Sequence, residues 1–182
     1  MELYLEQGEI SPGQLHAPFE RALRDRHLVP VCFVSAHNGS GIAELLDVFA
    51  RLMPNPAEGN PPLFYKGEGA DAAEIRAEPD PGNHLLAHVF KVVVDPFVGK
   101  RAAFRVFQGT IRRDSHLFIG DGRKPFKVGR LFQLQGKNHV EVDTCVPGDI
   151  AAVTKVEEIV LDAVLHDTHD EDHINLRAMK QV

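Results

Sequence analysis

Residues 95–109 read "DPFVGKRAAFRVFQG", and two readings of them lead to different proteins. The Gly99-Lys100 pair has the look of the end of a phosphate-binding loop. Such a loop needs a glycine five residues earlier, so that backbone N–H groups can curl around the phosphates. It also needs Ser or Thr directly after the lysine to hold magnesium. Val94 and Arg101 occupy those places, and no other stretch of the chain fits the pattern. The segment reads instead as a strand, with Phe104 and Val106 on one face and Arg105 and Phe107 on the other.

The text on either side agrees with a strand. "HLLAHVFKVVVD" (84–95) alternates, and places Leu86, His88, Phe90 and Val92 on one face. "HLFIG", a "DGRK" turn and "FKVGRLFQL" come after it; in the last, Phe126, Val128, Phe132 and Leu134 are expected inward. Arg130 then falls on the apolar face, and demands a partner or an irregular strand. "VPGDIAAV" and "IVLDAVL" complete a series of short strands separated by Gly and Asp turns. A small closed β-barrel is expected over 83–168, since closure leaves no sheet edge exposed. His88 is expected as a satisfied core histidine, and Asp95 and Asp114 as turn formers rather than acid–base groups.

Before residue 80 the chain reads differently. "SPGQLHAPFERALRDRH" (11–27) opens with a helix-starting Ser-Pro and continues with Leu15, Phe19, Ala22 and Leu23 at helical spacing. "LVPVCFV" (28–34) reads as a buried strand and "SAHNGSG" (35–41) as a loop. "GIAELLDVFARLMP" puts Ile42, Leu45, Leu46, Phe49, Leu52 and Met53 on one stripe, closed by Pro54. Strand, loop and amphipathic helix make residues 1–55 the end of an α/β layer. Residues 56–82, rich in Pro and Gly, are expected to be a linker with a mobile loop after Tyr65, and Leu63 to Tyr65 as a short apolar touch on a neighbour. Residues 169–182 are expected as a tail leading to the next domain.

Composition adds bounds. The 182 residues carry a net charge of −6, yet Lys91 to Lys137 holds eleven Lys or Arg against three Asp. A locally basic segment in an acidic chain is a candidate footprint for phosphate backbones, or simply a solvated strand face. No apolar run is long enough to span a membrane and no signal peptide opens the chain. The two cysteines, Cys32 and Cys145, sit in apolar segments and are expected as buried, reduced thiols of a cytoplasmic protein.

Three stretches resemble the translational GTPases, bacterial elongation factor G most closely. "DPFVGKRAAFRVFQGTIRRD" is similar to the opening of that family's second domain, a β-barrel. "KVGRLFQLQGKNHVEVDTCVPGDIAAV" is similar to its second half. "VPVCFVSAHNGSGIAELLDVFARLMPNP" resembles the final strand and helix of the GTP-binding domain. The likeness spans about residues 1 to 165. It implies that Ser35, Ala36 and His37 match the last guanine-nucleotide motif, where small residues let backbone N–H groups reach the base. In the family the second domain docks on the small ribosomal subunit and moves relative to the GTPase domain as GTP is turned over. That makes Lys100, Arg101, Arg105, Arg112, Arg113 and Lys127, with Arg123 and Lys124 beside them, candidates for contact with ribosomal RNA.

The family's phosphate loop, switches and Asn-Lys-x-Asp motif have no counterpart here. The chain is therefore expected to be no enzyme by itself and to need no cofactor; GTP and magnesium belong to the parent GTP hydrolase. Its expected partners are the ribosome, small-subunit ribosomal RNA and the parent's other domains, with no membrane. Alternatives are a ribosomal protection or release factor, or a stand-alone RNA- or protein-binding barrel. A longer, more acidic linker and the ending "EEIVLDAVLHDTHDEDHINL", in place of Gly-Asp-Thr-Leu, depart from the family and suggest a diverged relative. "HDTHDEDH" holds His166, His169 and His173 among carboxylates, a spacing zinc or nickel could use. A solvated acidic stretch is the reading adopted, with no metal.

Overall fold

The structure, a computed structural model, describes residues 12–25, 27–55, 64–67, 72–95, 99–136, 138–168 and 174–176. The chain divides into two compact units, 1–60 and 61–182.

The second unit is built on two long strands, β3 (Leu86–Asp95) and β4 (Gly99–Gln108), paired antiparallel. Around them stand β5 (Ile111–Arg112), β6 (His116–Ile119), β7 (Phe126–Lys127), β8 (Leu131–Gln135), β9 (Asn138–Val142), β10 (Thr144–Cys145), β11 (Ile150–Thr154) and β12 (Val164–His166). An eight-stranded sheet runs β7-β6-β12-β3-β4-β11-β8-β9, while β5 and β10 pair separately. Because β9 leads straight into β10 and β5 into β6, this small ribbon links the sheet's two ends into a barrel-type wrap. The core holds Phe104 and Val106 of β4, Ala151 and Val153 of β11, Leu117, Leu131 and Leu165. Leu85 starts the core face at the foot of β3, and Gly109 fits against it. With φ 74 and an added Cβ only 2.6 Å from the Leu85 Cα, position 109 admits no larger residue.

Two register details correct the sequence reading. In β3 the core takes Leu85, Ala87 and Val89, not the opposite set of Leu86, His88 and Phe90. The ladder pairs Val89 with Phe104 and Lys91 with Ala103, so Phe90 is the extra residue of a β-bulge, and Val92 alone of the expected set packs on the core. Leu86 is buried on the other face, in a second cluster. Alternation cannot identify the inner face of a strand that buries apolar residues on both. The second correction is in "FKVGRLFQL", which is two strands, β7 and β8, with a break at 128–130. The break is the irregularity Arg130 required, and it leaves that side chain exposed; Leu131 becomes the buried residue rather than Phe132.

The stretch expected as a linker contains β1 (Phe64–Lys66) and β2 (Ala73–Ile75), and the tail contains β13 (Ile174–Leu176). They form a three-stranded sheet in the order β13-β1-β2. Phe64 is fully buried with Ala77, Leu86 and Val164, and meets Phe107 edge-on at 5.7 Å between ring centroids.

The first unit has α1 (Pro12–Arg24) and α2 (Ile42–Leu52), as expected. The expected strand at 28–34 does not form. A strand needs a neighbour to take its N–H and C=O groups, and no described residue ladders with this segment. It is open to solvent, with Val29, Val31 and Phe33 at 77%, 75% and 92% exposure. Cys32, expected inside, is exposed with them, whereas Cys145 is buried. The α/β description of this unit therefore rests on its two helices alone.

Candidate nucleic-acid interface

The barrel sorts the candidate cations into three places. Lys100 and Arg101 open β4, opposite the end of β11, where Thr154 pairs with Arg101. Lys100 Nζ donates to the Glu157 carbonyl, and the Lys155 N–H donates to the Lys100 carbonyl over 2.9 Å. Arg101 Nη1 lies 2.8 Å from His139 Nε2, and since a guanidinium only donates, that nitrogen accepts. Arg105 stands mid-strand, its guanidinium 6.0 Å from the centre of the Phe107 ring.

The third group surrounds the turn from β5 to β6. Asp114 has φ 65, which Asp tolerates better than most residues, and its N–H donates to the Val128 carbonyl. That bond brings Lys127 against the turn, where it pairs with Asp114 at 2.8 Å. The Lys127 hydrogen bond and charge hold the Asp114 carboxyl below its usual range. Arg113 faces Glu141 at 3.2 Å and Asp143 at 3.9 Å. Both carboxylates sit on the β9–β10 side, which explains how this turn closes on the far sheet end. Arg112, Arg123, Lys124 and Arg130 are exposed and, among the described residues, pair with no carboxylate. The structure thus divides the basic stretch into cations spent on the fold and cations left to solvent. The pairs of Arg113 and Lys127 are screened surface contacts of small energetic weight; here they fix turns.

Lys155 is a cation that sequence reading misses. It lies outside the basic stretch, and only the fold brings it beside Lys100, in a left-handed turn with φ 61. His139 escapes for the same reason, since its contact with Arg101 joins residues 38 positions apart.

The other candidates fall elsewhere. Ser35, Ala36 and His37 begin a tight loop closed by the Ser35 N–H on the Ser40 carbonyl at 2.9 Å and the Ser40 N–H on Asn38 Oδ1 at 3.2 Å. Gly41 completes it with φ 73, its Cα so near the Phe33 carbonyl that a Cβ would lie 2.5 Å away. Ala36 and His37 are exposed and Ser35 is half-buried. His88 has a partner, with Nε2 3.1 Å from Asp162 Oδ1, but it is half-buried and lies outside the core expected for it. His166 is buried, its Nε2 and Nδ1 2.7 and 3.1 Å from the Gly120 and Thr168 carbonyl oxygens. His169 and His173 lie outside the described residues. Among those residues no group of three metal-binding side chains comes together, and no helix is long and apolar enough to cross a membrane.

Comparison with known proteins gives this barrel relatives. The family model "Elongation factor G domain 2" matches residues 84–165, which run from the approach to β3 into β12. A crystal structure of a Thermus thermophilus protein superposes with a TM-score of 0.69 at 28% identity, covering 92% of this chain. The match takes in 22% of the Thermus chain, so this chain spans about a fifth of that relative's length. Residues 84–165 are thus similar to the second domain of elongation factor G, and the chain as a whole is similar in fold to part of the Thermus protein.

Proposed function

We propose that the barrel docks on ribosomal RNA of the small subunit and couples the GTP state of its parent protein to domain movement during elongation. The observation that carries this reading is the domain 2 match over 84–165, the same residues that hold all of the basic stretch. Arg112, Arg123, Lys124 and Arg130, exposed and unpaired with carboxylates among the described residues, are the cations best placed to meet phosphates. Lys100, Arg101 and Arg105 form a second contact line along β4. Residues 1–55 are the end of a GTP-binding domain in this reading, and Ser35 to His37 its guanine loop. GTP and magnesium are bound by the parent, and the chain itself hydrolyses nothing. The altered barrel ending favours a diverged relative of the translocase, acting in the cytoplasm.

Co-sedimentation with small ribosomal subunits across a salt series tests the docking. If five cations meet phosphates, affinity falls with salt at a log–log slope of about −3.5 to −4.5. Replacing Arg112 by Ala then reduces the slope by about one. A chain that stays in the supernatant even at the lowest salt would show that it does not dock by itself. Calorimetry with GTP is expected to give no heat of micromolar binding.

A further inference from the structure

The three-stranded sheet joins parts of the chain that lie on opposite sides of the barrel in sequence. β1 and β2 precede the barrel and β13 comes after it, yet β1 is the central strand between the other two. Phe64 pairs with Leu176 on one side and Ile75 on the other, Tyr65 with Asn175 and Glu74, and Lys66 with Ile174 and Ala73. Strands this short do not hold together in water without packing on something larger. The anchor is Phe64, fully buried on Leu86 and Val164, in strands of the barrel itself. β13 has β1 as its ladder partner, so its order depends on the seat of Phe64.

We infer that this sheet is a clasp coupling the chain that enters the barrel to the chain that leaves it. Release of the entering strands releases the leaving one, and a partner that holds the leaving strand steadies the entering pair. Coupling of this kind is reciprocal by thermodynamic necessity. A displacement arriving before the barrel thus has a direct hydrogen-bonded route to the chain beyond it, without rearrangement of the barrel core. The clasp stands whether or not the barrel docks on RNA, so its failure and the failure of ribosome docking are separate results.

Hydrogen exchange of the 182-residue chain tests it from both ends. Phe64→Ala is expected to speed amide exchange in 174–176 by about tenfold or more, together with that in 64–66 and 73–75, as local opening becomes easier. Amides of β4 and β11 keep their protection. In the other direction, Asn175→Pro removes an N–H and blocks pairing with Tyr65, and exchange in 64–66 and 73–75 should rise while β4 and β11 are again unchanged. If 174–176 exchange equally fast in the unaltered chain and in Phe64→Ala, the clasp is wrong. Should Phe64→Ala unfold the whole chain, the Asn175→Pro arm decides. Unaltered exchange in β1 and β2 there, or uniform loss of protection throughout the barrel, overturns the inference.

Discussion

"LVPVCFV" at 28–34 and "AAFRVF" at 102–107 are similar runs with opposite fates. The second lies in β4 with β3 on one side and β11 on the other, and its Phe104 and Val106 are fully buried. The first has no laddered neighbour among the described residues, and its Phe33 stands almost wholly in solvent. Apolar, β-branched sequence creates the tendency to be a strand; a partner on each side turns the tendency into one. The same contrast extends to the helices, since α2 has no buried residue although its apolar stripe is well formed.

Substitution at matched phenylalanines should separate the two runs most strongly. Phe104→Ala empties the centre of the core and is expected to cost about 3–5 kcal/mol of barrel stability. Phe33→Ala removes no packing and should stay within about 0.5 kcal/mol. Urea denaturation of both variants checks the pair; equal losses would mean that 28–34 is packed in solution.

Glycine substitutions give the next largest effect. Gly39 and Gly109 have nearly the same φ, 75 and 74, so the backbone penalty of an alanine is common to both. Space is not: a Cβ at Gly39 meets nothing within 4 Å, whereas at Gly109 it strikes the Leu85 backbone. Gly39→Ala should cost about 1 kcal/mol, and Gly109→Ala clearly more, about 2–3 kcal/mol or above, read as a drop in thermal midpoint.

The thiols sharpen the comparison by reactivity. Cys32 is exposed, while burial, with Asp149 adding to it, pushes the Cys145 thiol up to about 11. With Ellman's reagent near neutral pH, one thiol should react promptly and the second only on unfolding. The folded value is raised above the 9.0 of the free thiol, so its stabilisation is complete below 9.0 and is lost as pH rises through about 11. Cys145→Ala should flatten that alkaline decline.

The same contrast decides how much of the molecule is legible in its sequence. The barrel is legible because its strands are consecutive, its turns carry Gly and Asp, and its alternation reports a sheet. The inner face of β3 is not, because Leu86 serves a second core made with Phe64, whose burial depends on chain far away in sequence. β1, β2 and β13 stay hidden because three-residue strands leave no period to detect. For the candidate interface, composition identifies the basic stretch but not which cations the fold consumes. Arg113 meets Glu141 and Lys155 reaches Lys100 only through strand pairing between distant segments, so neither contact has a local signal.

The smallest expected effect concerns the Asp114 turn. Lys127 holds the Asp114 carboxyl below its usual range, so the contribution of the pair is present above the ordinary aspartate value and is lost as pH falls through the lowered one. Both side chains are more than half exposed, so salt screens the pair and its weight in stability is slight. Asn at 114 keeps the shape and tolerates the positive φ, and removes only the charge. Asp114→Asn should therefore leave the thermal midpoint nearly unchanged at neutral pH and reduce its fall below about pH 4. It should also free Lys127 for phosphate, and so strengthen low-salt co-sedimentation with small ribosomal subunits. If RNA binding is the work of this turn, the variant binds more tightly and its salt slope steepens by about one; if the pair serves the fold alone, only the acid limb of the melting profile moves.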